Sequence, residues 1–147
     1  MAAAALPREF GYVAVVVVLY SLLNFWMAAQ VIRARKRYKV SYPALYALES
    51  ENKDAMLFNC IQRGHQNSLE LMPLFFVTLL LGGIQHPVLA AALGALYTVS
   101  RFFYFRGYST GIPENRNKLG GFYFLALVGL ILCTASLGIR LLIRGVL

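Results

Sequence analysis

The chain has 147 residues, 59% of them hydrophobic and 14% charged, with a formal charge of +8 from 14 Lys and Arg against 6 Asp and Glu. A soluble domain carries roughly 25% charged residues, and a chain this apolar would aggregate in water, so a soluble domain is excluded and one membrane domain is expected. A basic excess suits nucleic acid, anionic lipid or a small acidic ligand, and here the charges abut apolar runs, which argues against nucleic acid.

In chain order, Met1 to Pro7 could open a signal peptide. The apolar run behind it is long, Glu9 adjoins Arg8, and the run ends in Arg and Lys with no clear cleavage site, so a retained helix is expected. Phe10 to Ile32 gives 23 residues broken only by Ser21, Asn24 and Gln30. At 1.5 Å per residue that is about 35 Å, enough for a hydrocarbon core of roughly 30 Å. A basic run follows, Arg33, Arg35, Lys36, Arg37 and Lys39, and then a polar loop with Pro43, Glu49, Glu51, Lys53 and Asp54. That run could touch anionic head groups.

The second apolar run, Leu71 to Ile84, has only 14 residues and reaches about 21 Å, too short to cross. A spanning helix must therefore begin near Met56. This places Asn59, Gln62, Arg63, His65, Gln66, Asn67 and Glu70 on the same helix, partly at membrane depth. Polar groups there cost free energy unless they face protein, water or a ligand. Pro73 should bend the helix where its polar and apolar halves meet. A turn at Gly82, Gly83, His86 and Pro87 leads to the third run, Val88 to Phe105, interrupted by Ser100 and Arg101. A loop with Gly107, Gly111, Pro113, Glu114, Arg116, Asn117 and Lys118 precedes the fourth, Leu119 to Ile143.

The fold class expected is thus an all-α membrane protein, a four-transmembrane-helix bundle in a single domain over 1–147, with helices near 10–34, 56–82, 88–106 and 119–143. Loops 33–63 and 101–118 hold seven and four Lys or Arg, against one, none and two in the N-terminus, second loop and C-terminus. The positive-inside rule puts the two rich loops in the cytosol.

Arg63, Asn67 and Glu70 follow i, i+4, i+7 and share one helical face. Arg grips a carboxylate with a planar fork, Glu accepts from an amine, and Asn serves either partner. The face suits a zwitterionic ligand. The alternative is an internal Arg63–Glu70 pair, which two turns, about 10.5 Å of rise, make uncomfortable. Arg101, Tyr104 and Tyr108, at i, i+3, i+7, share a second face near the same membrane surface. Tyr and Phe there often serve only as interfacial anchors, but Arg101 lies inside the last turns of a span. Arg116 and Lys118 precede the fourth helix and read as ligand contacts or as ordinary loop charge. His65 has no second His or Cys at i+3 or i+4, so no metal is expected. Cys60 and Cys133 show no CxxC spacing and read as packing residues.

Arg63-Gly-His-Gln-Asn-Ser-Leu-Glu70-Leu-Met-Pro73 resembles the second-helix signature of the MAPEG proteins, the membrane-associated proteins of eicosanoid and glutathione metabolism. Gln30-Val-Ile-Arg-Ala-Arg35-Lys36 with Tyr38-Lys-Val-Ser-Tyr-Pro43, and Arg101-Phe-Phe-Tyr104-Phe-Arg-Gly107-Tyr108, resemble that family's first- and third-helix motifs, in order. Phe58-Asn-Cys-Ile-Gln-Arg-Gly-His-Gln-Asn looks nearest to its type-3 microsomal branch. The resemblance implies a homotrimer with glutathione as co-substrate between adjacent subunits. Carried over by position, Arg35, Arg63, His65, Asn67, Glu70, Arg101, Tyr104 and Tyr108 would hold glutathione. Arg116, which fits only with a one-residue insertion, would stabilise its thiolate, with Tyr104 beside it as the other catalytic candidate. Leu71 stands where the leukotriene-synthesising member has Tyr, and His65 where it has Gln. The non-enzymatic lipoxygenase-activating branch lacks much of the Arg, Asn and Glu set that this chain carries.

The implied activity is glutathione transfer to lipophilic electrophiles, with peroxidase activity toward lipid hydroperoxides, in the endoplasmic reticulum, with the mitochondrial outer membrane or another endomembrane as alternatives. The alternatives are a non-catalytic lipid-binding scaffold and a small channel or transporter.

Overall fold

A computed structural model describes residues 6–144, and the side chain of Arg144 is not described. The first five residues, on which the signal-peptide alternative partly rests, lie outside the described residues. Four helices make up the fold: α1 (Phe10–Tyr38), α2 (Ala55–Gln85), α3 (Pro87–Tyr108) and α4 (Phe122–Arg144), with a short 3-10 turn at Pro113–Asn117 before α4. All four are long and apolar enough to cross a membrane. Apolar side chains therefore cover the outside as well as the core: Phe25 is 70% exposed and Leu132 64%, as hydrocarbon permits and water does not.

The helices reach further than the apolar runs alone. The first continues to Tyr38 through Arg33, Arg35, Lys36 and Arg37, so the basic run is helical and not loop. Cations suit the carbonyl end of a helix, and α1 ends at Lys39 in the left-handed region, φ 56°, its N–H bonded to the carbonyl of Arg35. Helix α2 does begin before the apolar run, at Ala55, and runs unbroken through Pro73 for 31 residues, about 46 Å. That exceeds a hydrocarbon core of about 30 Å, so its polar N-terminal half projects toward one membrane surface. The fourth helix begins three residues later than 119, because Gly120 and Gly121 extend the preceding turn.

The core lies where all four helices meet. Val13, Val16 and Tyr20 of α1 pack on Phe75 and Leu79 of α2, Ala90, Ala91 and Tyr97 of α3, and Ala126, Leu127 and Leu130 of α4. Phe75 and Tyr97 stack at 4.0 Å, and Tyr20 tilts against Phe75 at 4.8 Å. Cys60 and Cys133 are both free and buried.

Two contacts tie the basic end of the bundle together. Asn59 on α2 donates to the carbonyl of Ala47 at 2.9 Å and accepts from its N–H at 2.8 Å, pinning the long loop between α1 and α2. Gly120 presses on the backbone of Tyr104, where any Cβ would overlap, so α4 can start directly against α3. That close approach sets Tyr123 beside Tyr104.

Candidate functional site

On α2, Arg63, Asn67 and Glu70 converge. Arg63 Nη1 donates to Glu70 Oε1 at 2.8 Å, and Asn67 Nδ2 donates to Glu70 Oε2 at 3.4 Å. The direct Arg63–Glu70 pair corrects the expectation that two turns are too far. Helical side chains lean toward the N-terminus, so Glu70 reaches back, and the long Arg63 side chain spans the remainder. The pair is open, with 38% and 46% of the two side chains exposed, so an incoming ligand can exchange with either partner.

The second face begins with Arg101, seven residues or about 10.5 Å before the end of α3. It is fully buried. Its Nη2 donates to Asn67 Oδ1 at 3.0 Å and to Ser68 Oγ at 2.7 Å. Its guanidinium lies 4.1 Å from the centre of the Tyr104 ring and 4.9 Å from that of Tyr123, where ring quadrupoles stabilise the cation. Nε and Nη1 are buried without a hydrogen-bond partner. Among the described residues no carboxylate pairs with Arg101, a costly state for a charge inside a membrane helix.

Asn67 therefore joins the two faces. A continuous polar chain runs from Arg101 through Asn67 to Glu70 and Arg63, from the core to an open surface. Tyr104, buried against Arg101, meets Tyr108 at 5.8 Å. Arg116 sits with its guanidinium 5.3 Å from the Tyr108 ring centre, and its Nη1 donates to the Pro113 carbonyl at 2.6 Å. Arg63 and Tyr108 share the wall of a shallow pocket of about 290 Å³ with Tyr46, Asn59, Cys60 and Pro113. Tyr108 thus links Arg116 to the α2 face.

Two of the expected residues stand apart. His65 Nε2 lies 3.2 Å from Asn24 Oδ1 on α1, so it bridges α1 and α2. Two residues on a helix turn through about 200°, so His65 points away from both Arg63 and Asn67. Arg35 is buried, donates from Nη1 to the Ala44 carbonyl at 2.8 Å, and lies over Tyr42 and Phe58 at 4.5 and 5.2 Å. Arg35 thus clamps the loop and does not reach the polar chain. Three further residues matter. Ser68 and Tyr123 hold Arg101, and Asn59 holds the loop. Ser68 adjoins Asn67 in sequence, a signal that could have raised it, whereas Tyr123 sits in an apolar span with no local mark. Among the described residues no three of His, Cys, Asp and Glu gather as a metal site would require.

The MAPEG family model matches residues 13–136. The chain is 32% identical over 128 residues to microsomal glutathione S-transferase 2 of Homo sapiens, covering 86% of this chain and 80% of that protein. It is 34% identical over 133 residues to leukotriene C4 synthase of Cavia porcellus, covering 89% and 82%. It is also 34% identical over 119 residues to microsomal glutathione S-transferase 2 of Bos taurus, covering 78% and 77%. With four spanning helices and a family match over most of its length, this chain is a multi-pass membrane protein belonging to the MAPEG family.

Proposed function

We propose that the protein is a membrane glutathione S-transferase that also reduces lipid hydroperoxides with glutathione. The observation that carries this reading is the polar chain Arg63–Glu70–Asn67–Arg101, which offers an exposed cation and carboxylate on α2, joined through Asn67 to a second, under-bonded cation buried on α3. Glutathione carries two carboxylates and an ammonium. Arg63 and Arg101 suit its carboxylates, and Glu70 suits its ammonium. The relatives named as glutathione S-transferases and leukotriene C4 synthases support the same co-substrate.

A free thiol with a pKa of about 8.5 is mostly protonated at neutral pH, and lowering it by roughly 2 units takes about 2.7 kcal/mol. Arg116, whose guanidinium lies against the pocket-lining Tyr108, is the group we assign to the thiolate, with Tyr104 one turn before Tyr108 on α3. In conjugation the thiolate sulfur attacks an electrophilic carbon, such as that of an epoxide. The C–O bond breaks and the alkoxide takes up the proton released by the thiol. In the peroxidase reaction the sulfur attacks the outer oxygen of a hydroperoxide and the O–O bond breaks, leaving an alcohol and glutathione sulfenic acid. A second glutathione then condenses with the sulfenic acid to give the disulfide and water.

The pocket of one subunit is small and open, so we further propose a homotrimer in which a neighbouring subunit closes it. In that arrangement Arg35, remote from the polar chain of its own subunit, would serve the neighbour's site. The motif from Phe58 to Asn67 supports placing the chain near the type-3 branch of the family. The basic loops are taken to face the cytosol, with the endoplasmic reticulum as the membrane. The test is purified protein in lipid, supplied with glutathione and either an epoxide or a lipid hydroperoxide. Turnover of both supports the dual activity, and turnover of the epoxide alone removes the peroxidase half. No glutathione binding at all would favour a non-catalytic lipid-binding scaffold.

A further inference from the structure

A second charged cavity lies on the other side of α2, away from the polar chain. Ile61 lines it, and Ile61 and Arg63 are about 200° apart around the helix. The cavity, about 250 Å³, opens between α1 and α3 at the basic end. On α1, Trp26, Gln30, Arg33 and Arg37 follow i, i+4, i+7, i+11 and form one stripe facing it. Phe105 and Arg106 of α3, and Ser109 just past its end, line the opposite wall.

Three guanidinium groups thus surround a small space, and among the described residues none of them pairs with a carboxylate. Gln30 tethers Arg33 in the cavity wall: with its amide oxygen turned to both, Gln30 accepts from Trp26 Nε1 at 3.1 Å and from Arg33 Nη1 at 3.3 Å. Two of the lining rings pack together, Trp26 lying 5.5 Å from Phe105, and Trp26 also lies 5.4 Å from Phe102 one turn back on α3. Further from the basic end the same two helices present only apolar exposed side chains, with Leu22 58%, Phe25 70% and Val99 54% exposed. A ligand fitting this surface is anionic at one end and apolar at the other, and enters from the bilayer.

We infer that this groove binds one anionic phospholipid, its phosphate among Arg33, Arg37 and Arg106 and its acyl chains along α1 and α3. Arg forks match phosphate oxygens, and Trp sits at the level where head group meets hydrocarbon. The inference is independent of glutathione, because it uses none of the residues assigned to that site.

Trp26 is the chain's single Trp, so its fluorescence reads this groove alone. The full chain is reconstituted in phosphatidylcholine vesicles containing a minority of phosphatidylserine. Bromine, which quenches Trp, is placed either on the phosphatidylserine chains or on an equal amount of the phosphatidylcholine. Brominated phosphatidylserine is expected to quench as though enriched about five-fold at Trp26. The triple variant Arg33→Gln, Arg37→Gln and Arg106→Gln loses that excess but keeps the phosphatidylcholine quenching of the native protein, which shows that it is folded. Equal charge removal outside the groove, by Lys36→Gln, Lys39→Gln and Lys53→Gln, leaves the excess in place.

Equal quenching by both lipids in the native protein overturns the inference. So does loss of the excess in the Lys variant, which would mean diffuse surface attraction. If inorganic phosphate alters Trp26 emission in pure phosphatidylcholine vesicles and abolishes the excess, the groove holds a soluble anion and the lipid assignment fails.

Discussion

Asn67 Oδ1 accepts from the buried guanidinium of Arg101 at 3.0 Å, across the interface between α2 and α3. The other side of the same amide donates to Glu70 at 3.4 Å. One short side chain therefore fixes where a core cation stands relative to a surface carboxylate. Asn67→Ala and Arg101→Met should each weaken glutathione binding, and their effects should not add. A double-mutant cycle on the dissociation constant is expected to give a coupling of about 0.5–3 kcal/mol. Additive losses would mean that the two residues serve glutathione separately.

The proposed glutathione site gives Arg101 a role in binding more than in the fold. A buried charge without a carboxylate costs desolvation energy, and an apolar side chain of similar volume often replaces one at no loss. Ser68 would keep its bond to the Gly64 carbonyl at 3.1 Å, and Asn67 its bond to Glu70. Arg101→Met should therefore melt at or above the native temperature in detergent while binding glutathione roughly ten-fold or more weakly. A large drop in melting temperature would reassign Arg101 to the fold.

The loop clamp has the opposite character. Asn59→Ala removes both bonds to Ala47 and leaves a backbone N–H and C=O to find new partners. A loss of about 1–3 kcal/mol in stability is expected, with faster hydrogen exchange at the Ala47 amide. Unchanged exchange there would show that the loop is held by other contacts.

Arg116→Ala should leave the fold intact, since among the described residues its side chain holds only the Pro113 carbonyl and the Tyr108 ring. Ultraviolet absorbance of bound glutathione should then lose its thiolate band at neutral pH. A retained band would remove Arg116 from thiolate stabilisation.

Much of this was legible in the sequence, for physical reasons. An apolar run of 14 residues cannot cross a bilayer, so α2 had to begin upstream, and that alone placed Arg63, Asn67 and Glu70 on one helix face. The Arg63–Glu70 bond was not legible from rise per residue, because side-chain length and lean decide it. His65 is the reverse case: motif likeness grouped it with Arg63, while its angular position on the helix already pointed it elsewhere. The burial of Arg35 depends on where the loop from Ser41 to Ala47 folds back, which no local pattern encodes. The same holds for Tyr123, whose position over Arg101 follows from the close approach of Gly120 to Tyr104.

The central claim is that the open α2 face holds glutathione. Titration calorimetry of glutathione into the native protein and Arg63→Ala, both in lipid and both checked for an unchanged melting temperature, tests it most directly. The account predicts measurable native binding and a loss of roughly ten-fold or more in the variant, since a charge-assisted bond to a carboxylate disappears. Equal affinity in the two proteins, or no heat of binding in the native one, would contradict it.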